Sequence, residues 1–267
     1  REKMDKLLLG RYIQGDSLVH RLDPRAKMIL CFYFVLIIFL CNNWQSYLLL
    51  GIVTLLSVLL SKIDLSYFVK GVMPLIWLIL FTVLLQVFFT RGGPTYWQFG
   101  PFTLSQFGLV NGFYVFCRFV LIIFMSTLLT VTTTPLAIAD ATESLMQPLK
   151  KLRVPVHEIA LMLSIALRFV PTLMDETTKI MNAQRSRGVD FSEGSLISRI
   201  KAVIPLLIPL FVSALTRAED LATAMEARGY RGEEGRSKYR VRVWHLQDTL
   251  ALVFFFLVTL ALIFLRN

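Results

Sequence analysis

With 267 residues, 55% hydrophobic and only 17% charged, and a mean hydropathy of +0.63, the chain is too apolar for an ordinary soluble domain, where roughly 25% of residues are charged. A net charge of +10 does not point to nucleic acid here. The basic residues lie between long apolar runs, where anionic headgroups and an inside-positive topology account for them. Cys31, Cys41 and Cys117 lie in or beside apolar runs without CxxC spacing, so they read as small buried hydrophobes and not as a disulfide framework or a metal site.

Residues 1–27 are polar and lack an apolar central stretch, so no cleavable signal peptide is expected and insertion rests on internal spans. A transmembrane helix needs about 20 apolar residues, about 17 at the short end. Met28–Cys41 and Tyr47–Leu60 fall at or below that limit; joined by the uncharged Asn42–Ser46, they form two short spans or a partly crossing hairpin, and two spans is the preferred reading. Gly71–Phe89, Gly112–Val131 and Thr249–Leu265 are clear spans. Between them, Arg91–Asn111 carries Tyr96, Trp97, Phe99 and Phe102 and reads as an interfacial aromatic loop.

Orientation follows the basic residues. Lys3, Lys6, Arg11, Arg21, Arg25 and Lys27 precede the first span, Lys62 and Lys70 lie between the second and third, and Thr132–Trp244 is rich in Arg and Lys. Asn42–Ser46 has no basic residue and Arg91–Asn111 only Arg91. Five spans satisfy every loop, with the N-terminus cytoplasmic and the C-terminus extracellular, in the cell membrane.

The block from Thr132 to Trp244 reads as helical throughout. Thr133-Thr134-Pro135 fits a helix start, with Thr as N-cap and Pro at the first position, and Ala137–Leu149 is a short amphipathic helix. Apolar residues recur at helical spacing from Val156 to Met174 and again from Leu196 to Leu215. In the second run Pro205 and Pro209 are expected to kink the helix. Helices this greasy on one side and this charged at their ends lie along a membrane face or pack on partners.

Both long helices end alike. Ala183-Gln184-Arg185-Ser186-Arg187-Gly188 closes the first and Ala224-Met225-Glu226-Ala227-Arg228-Gly229 the second. Glycine after the last helical residue adopts the left-handed conformation at little strain. Arginine in the last turn is favoured by the helix dipole. Small neighbours, Ser186 and Ala227, let a partner approach a guanidinium whose forked donors suit carboxylates and carbonyls.

Residues from about Leu18 to Arg240 resemble the transmembrane T component of energy-coupling factor transporters, related to the membrane subunit of cobalt uptake systems. The matching stretches are His20-Arg21-Leu22-Asp23-Pro24-Arg25-Ala26-Lys27, Thr133-Thr134-Pro135, Pro148–Val156, Leu167-Arg168-Phe169-Val170-Pro171-Thr172 and the two Arg-Gly tips. Ser186 departs from the family, where alanine commonly precedes the first tip arginine; serine is equally small. The resemblance implies an all-α membrane protein, with about five transmembrane helices (1–131 and 245–267) and long crossed cytoplasmic coupling helices (132–244). It implies a non-catalytic subunit that binds no cofactor, ATP and Mg being used by two ABC-type ATPase partners, one per tip. Ser186, Arg187, Gly188, Ala227, Arg228 and Gly229 would dock the ATPases. The apolar faces led by Leu163, Phe169, Leu207 and Phe211 would support one membrane-embedded substrate-binding subunit importing a vitamin or metal ion.

Other classes find less support. His157-Glu158 begins like HExxH, but Leu161 stands where the second ligand belongs, and no GxxxxGK[ST] occurs. A self-contained channel or secondary transporter would carry ionisable groups deep in its spans, where this chain has only Arg118, which reads as a functional intramembrane charge, or as one that snorkels to the outer headgroups or pairs with a partner subunit. A conventional ABC permease would touch its ATPases through short loops.

Overall fold

A computed structural model describes residues 12–90, 92, 94–99, 102–152, 155–189, 196–232 and 243–266. Lys3, Lys6, Arg11, Arg91, Arg153, Val154 and Arg240 lie outside the described residues, as do the side chains of Trp97, Phe99, Phe102, Leu196 and Ile200. The chain divides into two compact units, one of residues 11–141 with 242–267 and one spanning 142–241.

The first unit holds α1 (Leu18–Arg21), α2 (Pro24–Ile37, continued by a 3-10 turn Ile38–Leu40), α3 (Trp44–Ser61), α4 (Leu65–Val72), α5 (Ile76–Phe89), a hairpin of β1 (Thr95–Phe99) and β2 (Phe102–Ser105), α6 (Gln106–Thr132) and α10 (Leu246–Arg266). A shared core joins Leu30, Phe34 and Ile38 of α2 and its turn to Leu50 and Val53 of α3, Phe68 of α4, Leu128 of α6 and Phe255 and Val258 of α10. Outside that core, Phe32, Leu36, Trp77, Phe81 and Phe264 stand exposed, which is unfavourable in water and suits acyl chains.

Among the described residues, five helical segments are long and apolar enough to cross a membrane: Trp44–Ser61, Leu65–Phe89, Gln106–Thr132, Val156–Ser186 and Leu246–Leu265. Four contain expected spans. The expected first span is shorter, a 14-residue helix plus a three-residue turn, about 25 Å at about 1.5 Å per residue against a core of about 30 Å. The fifth long segment, Val156–Ser186, is the helix read above as interfacial. Its first half is mostly apolar, with Glu158 and Arg168 as its charged residues, while Asp175, Glu176, Lys179 and Arg185 crowd its second.

The supposed loop Arg91–Asn111 contains the antiparallel hairpin, pairing Gln98 with Thr103 and Phe99 with Phe102. It also holds the first turns of α6, because Ser105 caps that helix by accepting the Gly108 N–H at 3.0 Å. Gly108 and Gly112 let α6 press on α5. A Cβ at Gly108 would stand 2.7 Å from the Val87 carbonyl, and one at Gly112 2.6 Å from a Val87 methyl. Small residues four apart serve this purpose in membranes.

Arg118 has partners within the chain. It donates to the Tyr47 hydroxyl at 2.9 Å and stacks over the Phe39 ring at 5.1 Å, while Tyr47 stacks on Tyr114 at 4.9 Å. The cysteines are free, Cys31 and Cys41 buried and Cys117 half-buried.

The residues 142–241 unit contains α8 (Val156–Ser186) and α9 (Leu196–Ala227). Helix α7 (Pro135–Met146) leads into it, with Thr134 accepting the Ala137 N–H at 3.3 Å as the sequence anticipates; a 3-10 stretch, Gln147–Leu152, follows. Helix α9 is continuous over 32 residues through Pro205 and Pro209, and α8 likewise passes Pro171. Each proline removes one donor, and the rest of the ladder carries the helix through.

Candidate functional site: two capped helix tips

Helices α8 and α9 end in the same hydrogen-bonded motif. At the first tip the Val189 N–H donates to the Gln184 carbonyl at 3.1 Å and the Gly188 N–H to the Arg185 carbonyl at 3.0 Å. At the second the Tyr230 N–H donates to the Met225 carbonyl at 3.0 Å and the Gly229 N–H to the Glu226 carbonyl at 2.8 Å. This is the Schellman closure, which needs a left-handed residue one place past the cap. Gly188 (φ 85°) and Gly229 (φ 72°) supply it.

The arginines therefore stand at the C-caps, one place beyond the last helical residue in each case. Arg187 and Arg228 are exposed, as are Ser186, Gly188, Ala227 and Gly229. Nothing lies within 4 Å of a Cβ built on either glycine, so each tip is open on that side.

Eleven residues before each tip arginine the two helices touch. Glu176 of α8 accepts from Arg217 of α9 at 2.9 Å on one carboxylate oxygen and from the Ser213 hydroxyl at 2.6 Å on the other. Apolar packing flanks this contact. Ile165, Phe169 and Leu173 of α8 face Ala214, Ala218, Leu221 and Met225 of α9 around a cavity of about 240 Å³.

The expected platform residues are not one patch. Leu207 and Phe211, exposed, share a groove with Leu173, Thr177, Ile208 and Val212. Phe169 is half-buried at the cavity between the helices, and Leu163, exposed, lines neither. Among the described residues no group of three His, Cys, Asp or Glu is placed to hold a metal. His157, the start of the broken HExxH, lies 3.5 Å from Glu143.

The stretch His20–Lys27 carried the resemblance without a role, and the structure supplies one. Asp23 caps α2 by accepting the Arg25 N–H at 2.8 Å. The Asp23 N–H in turn donates to buried Asp248 at 2.8 Å, which also accepts the His245 N–H at 2.9 Å. Buried Lys27 donates to the carbonyls of Thr132 at 3.0 Å and His20 at 3.2 Å, an ammonium placed at helix C-termini. His20 is satisfied by Ser17 at 2.7 Å and the Ile13 carbonyl at 3.1 Å. Arg21 forks onto Asp16 at 2.8 and 2.9 Å, and its hydrogen bond and charge hold that carboxyl below the usual range.

The chain as a whole is similar to known proteins. The cobalt transport protein family model matches residues 15–239. The energy-coupling factor transporter transmembrane protein EcfT of Lacticaseibacillus paracasei is 62% identical over 98% of this chain and 100% of its own length. Those of Lactococcus lactis (56%, over 97% of this chain and 98% of the relative) and Bacillus subtilis (54%, over 98% and 99%) are also similar. The chain is a multi-pass membrane protein and belongs to the family of transmembrane T components of energy-coupling factor transporters.

Proposed function

We propose that this chain passes ATP-driven motion of two ABC-type ATPase subunits to one membrane-embedded substrate-binding subunit, for uptake of a vitamin or metal ion. As a T component it is itself non-catalytic; ATP and Mg are used by the partners, and the chain binds no cofactor of its own. The observation that carries the reading is the pair of like-built tips, each presenting an exposed guanidinium on a helix closed by a left-handed glycine.

Arg187 and Arg228 each enter a groove of one ATPase, with Ser186, Gly188, Ala227 and Gly229 giving close approach. The density of Arg and Lys in Thr132–Trp244 supports a cytoplasmic position for the tips. Exposed Leu207 and Phe211, with Leu163 and Phe169 contributing to neighbouring surfaces, offer apolar area to the substrate-binding subunit. Co-purification with subunit counting by native mass spectrometry tests the assembly: two ATPases and one further membrane subunit are expected. A chain that carries cargo across liposomes alone, without ATP, contradicts it.

A further inference from the structure

The two tips stand 41 positions apart, Arg187 to Arg228, and so do the two charged residues that meet between the helices, Glu176 and Arg217. The ion pair thus joins equivalent positions of two like-ended helices. Each tip arginine lies 11 residues beyond its member of the pair, a helical arm of about 16 Å at about 1.5 Å per residue. The two arms are therefore of equal length.

The contact is more than one ion pair. Ser213 donates to one oxygen of Glu176, Arg217 Nη2 to the other, and Arg217 Nε stands 3.4 Å from the Ser213 hydroxyl, closing a ring of three side chains. The Glu176 and Arg217 side chains are 24% and 37% exposed. Around them lie Leu173, Ala214 and Ala218. Apolar packing is non-directional and resists sliding of one helix along the other only weakly. A directional, charge-assisted ring resists separation and slip, while the small side chains of Ala214 and Ala218 leave room for a change of angle.

The geometry points to Glu176, Ser213 and Arg217 as the pivot on which α8 and α9 turn against each other, converting displacement of the tips into rotation rather than slippage. These are positioning residues and touch neither ATP nor cargo. The inference rests on the reading that both tips are driven by ATPases.

The test uses the complete complex in proteoliposomes and reads ATPase co-purification, hydrolysis and cargo uptake together. Glu176→Gln and Arg217→Gln are expected to keep the ATPases bound and hydrolysing while uptake per ATP falls about five-fold or more. The exchange Glu176→Arg with Arg217→Glu is expected to restore the ratio to within about two-fold, a rescue that a loss of general stability does not give. Ser213→Ala, which removes no charge, is read where a charge variant fails to assemble, and a lowered ratio is expected in the assembled complex. A wild-type ratio in the assembled single variants, or an exchange no better than they are, overturns the pivot. Failure of the underlying reading shows separately, as wild-type uptake when Arg187 and Arg228 are both alanine.

Discussion

The carboxylate of Asp248 accepts the backbone N–H of Asp23 at 2.8 Å across 225 positions of the chain. With its other oxygen it accepts the His245 N–H, the backward reach from the third helical position that closes half of a capping box. One buried side chain thus fastens the entry of α2 to the start of α10. Removing it leaves two donors facing each other, of which the Asp23 N–H is buried, and an unsatisfied buried donor costs about 1–3 kcal/mol. Asp248→Ala is expected to lower the melting temperature in detergent clearly more than Asp248→Asn, which keeps one acceptor. Asp16→Ala, removing a carboxylate whose side chain is 78% exposed, is expected to change it little. Equal melting temperatures for Asp248→Ala and Asp16→Ala contradict this role.

The contact of α5 with α6 makes a second prediction. The atom in the way at Gly108 is a backbone carbonyl, whereas at Gly112 it is a side-chain methyl of Val87. Overpacking costs about 1–3 kcal/mol. Gly112→Ala is therefore expected to destabilise and to be rescued by Val87→Ala, while Gly108→Ala is not rescued by it. Thermal unfolding of the singles and doubles checks this, and strict additivity at Gly112 and Val87 argues against the contact.

A third concerns the tips. Gly188 and Gly229 have open space around an added Cβ, so alanine there carries only the cost of a left-handed backbone, about 1 kcal/mol. Amide exchange at Val189 in Gly188→Ala, and at Tyr230 in Gly229→Ala, is expected to quicken about five-fold, and less with asparagine. Unchanged exchange means the closure does not hold the tip.

The sequence made the tips legible because a Schellman closure is local. Arg187-Gly188 and Arg228-Gly229 report their own geometry, and the missing detail was only that the arginine is the cap and not the last turn. Thr134-Pro135 was legible for the same reason. The junction of Asp23, Lys27, Thr132 and Asp248 was not, since its partners lie 225 and 105 positions apart and no local pattern links them. The early start of α6 was hidden by Gly108 and Asn111, which read as loop, although Ser105 was an available cap. Arg118 showed as a buried-charge anomaly, but its partners Tyr47 and Phe39 come from other elements. The pivot was written in the 41-residue offset, yet only the contact of Glu176 with Arg217 gives that spacing meaning.

Central to the account are the two guanidinium groups at Arg187 and Arg228, and cargo uptake by the reconstituted complex tests them most directly. Truncating one partner of a buried, hydrogen-bonded charge pair costs about 2–5 kcal/mol, so the single alanine variants should dock the ATPases weakly and the double variant should lose ATP-driven uptake. Uptake at the wild-type rate in the Arg187→Ala, Arg228→Ala double variant would contradict it.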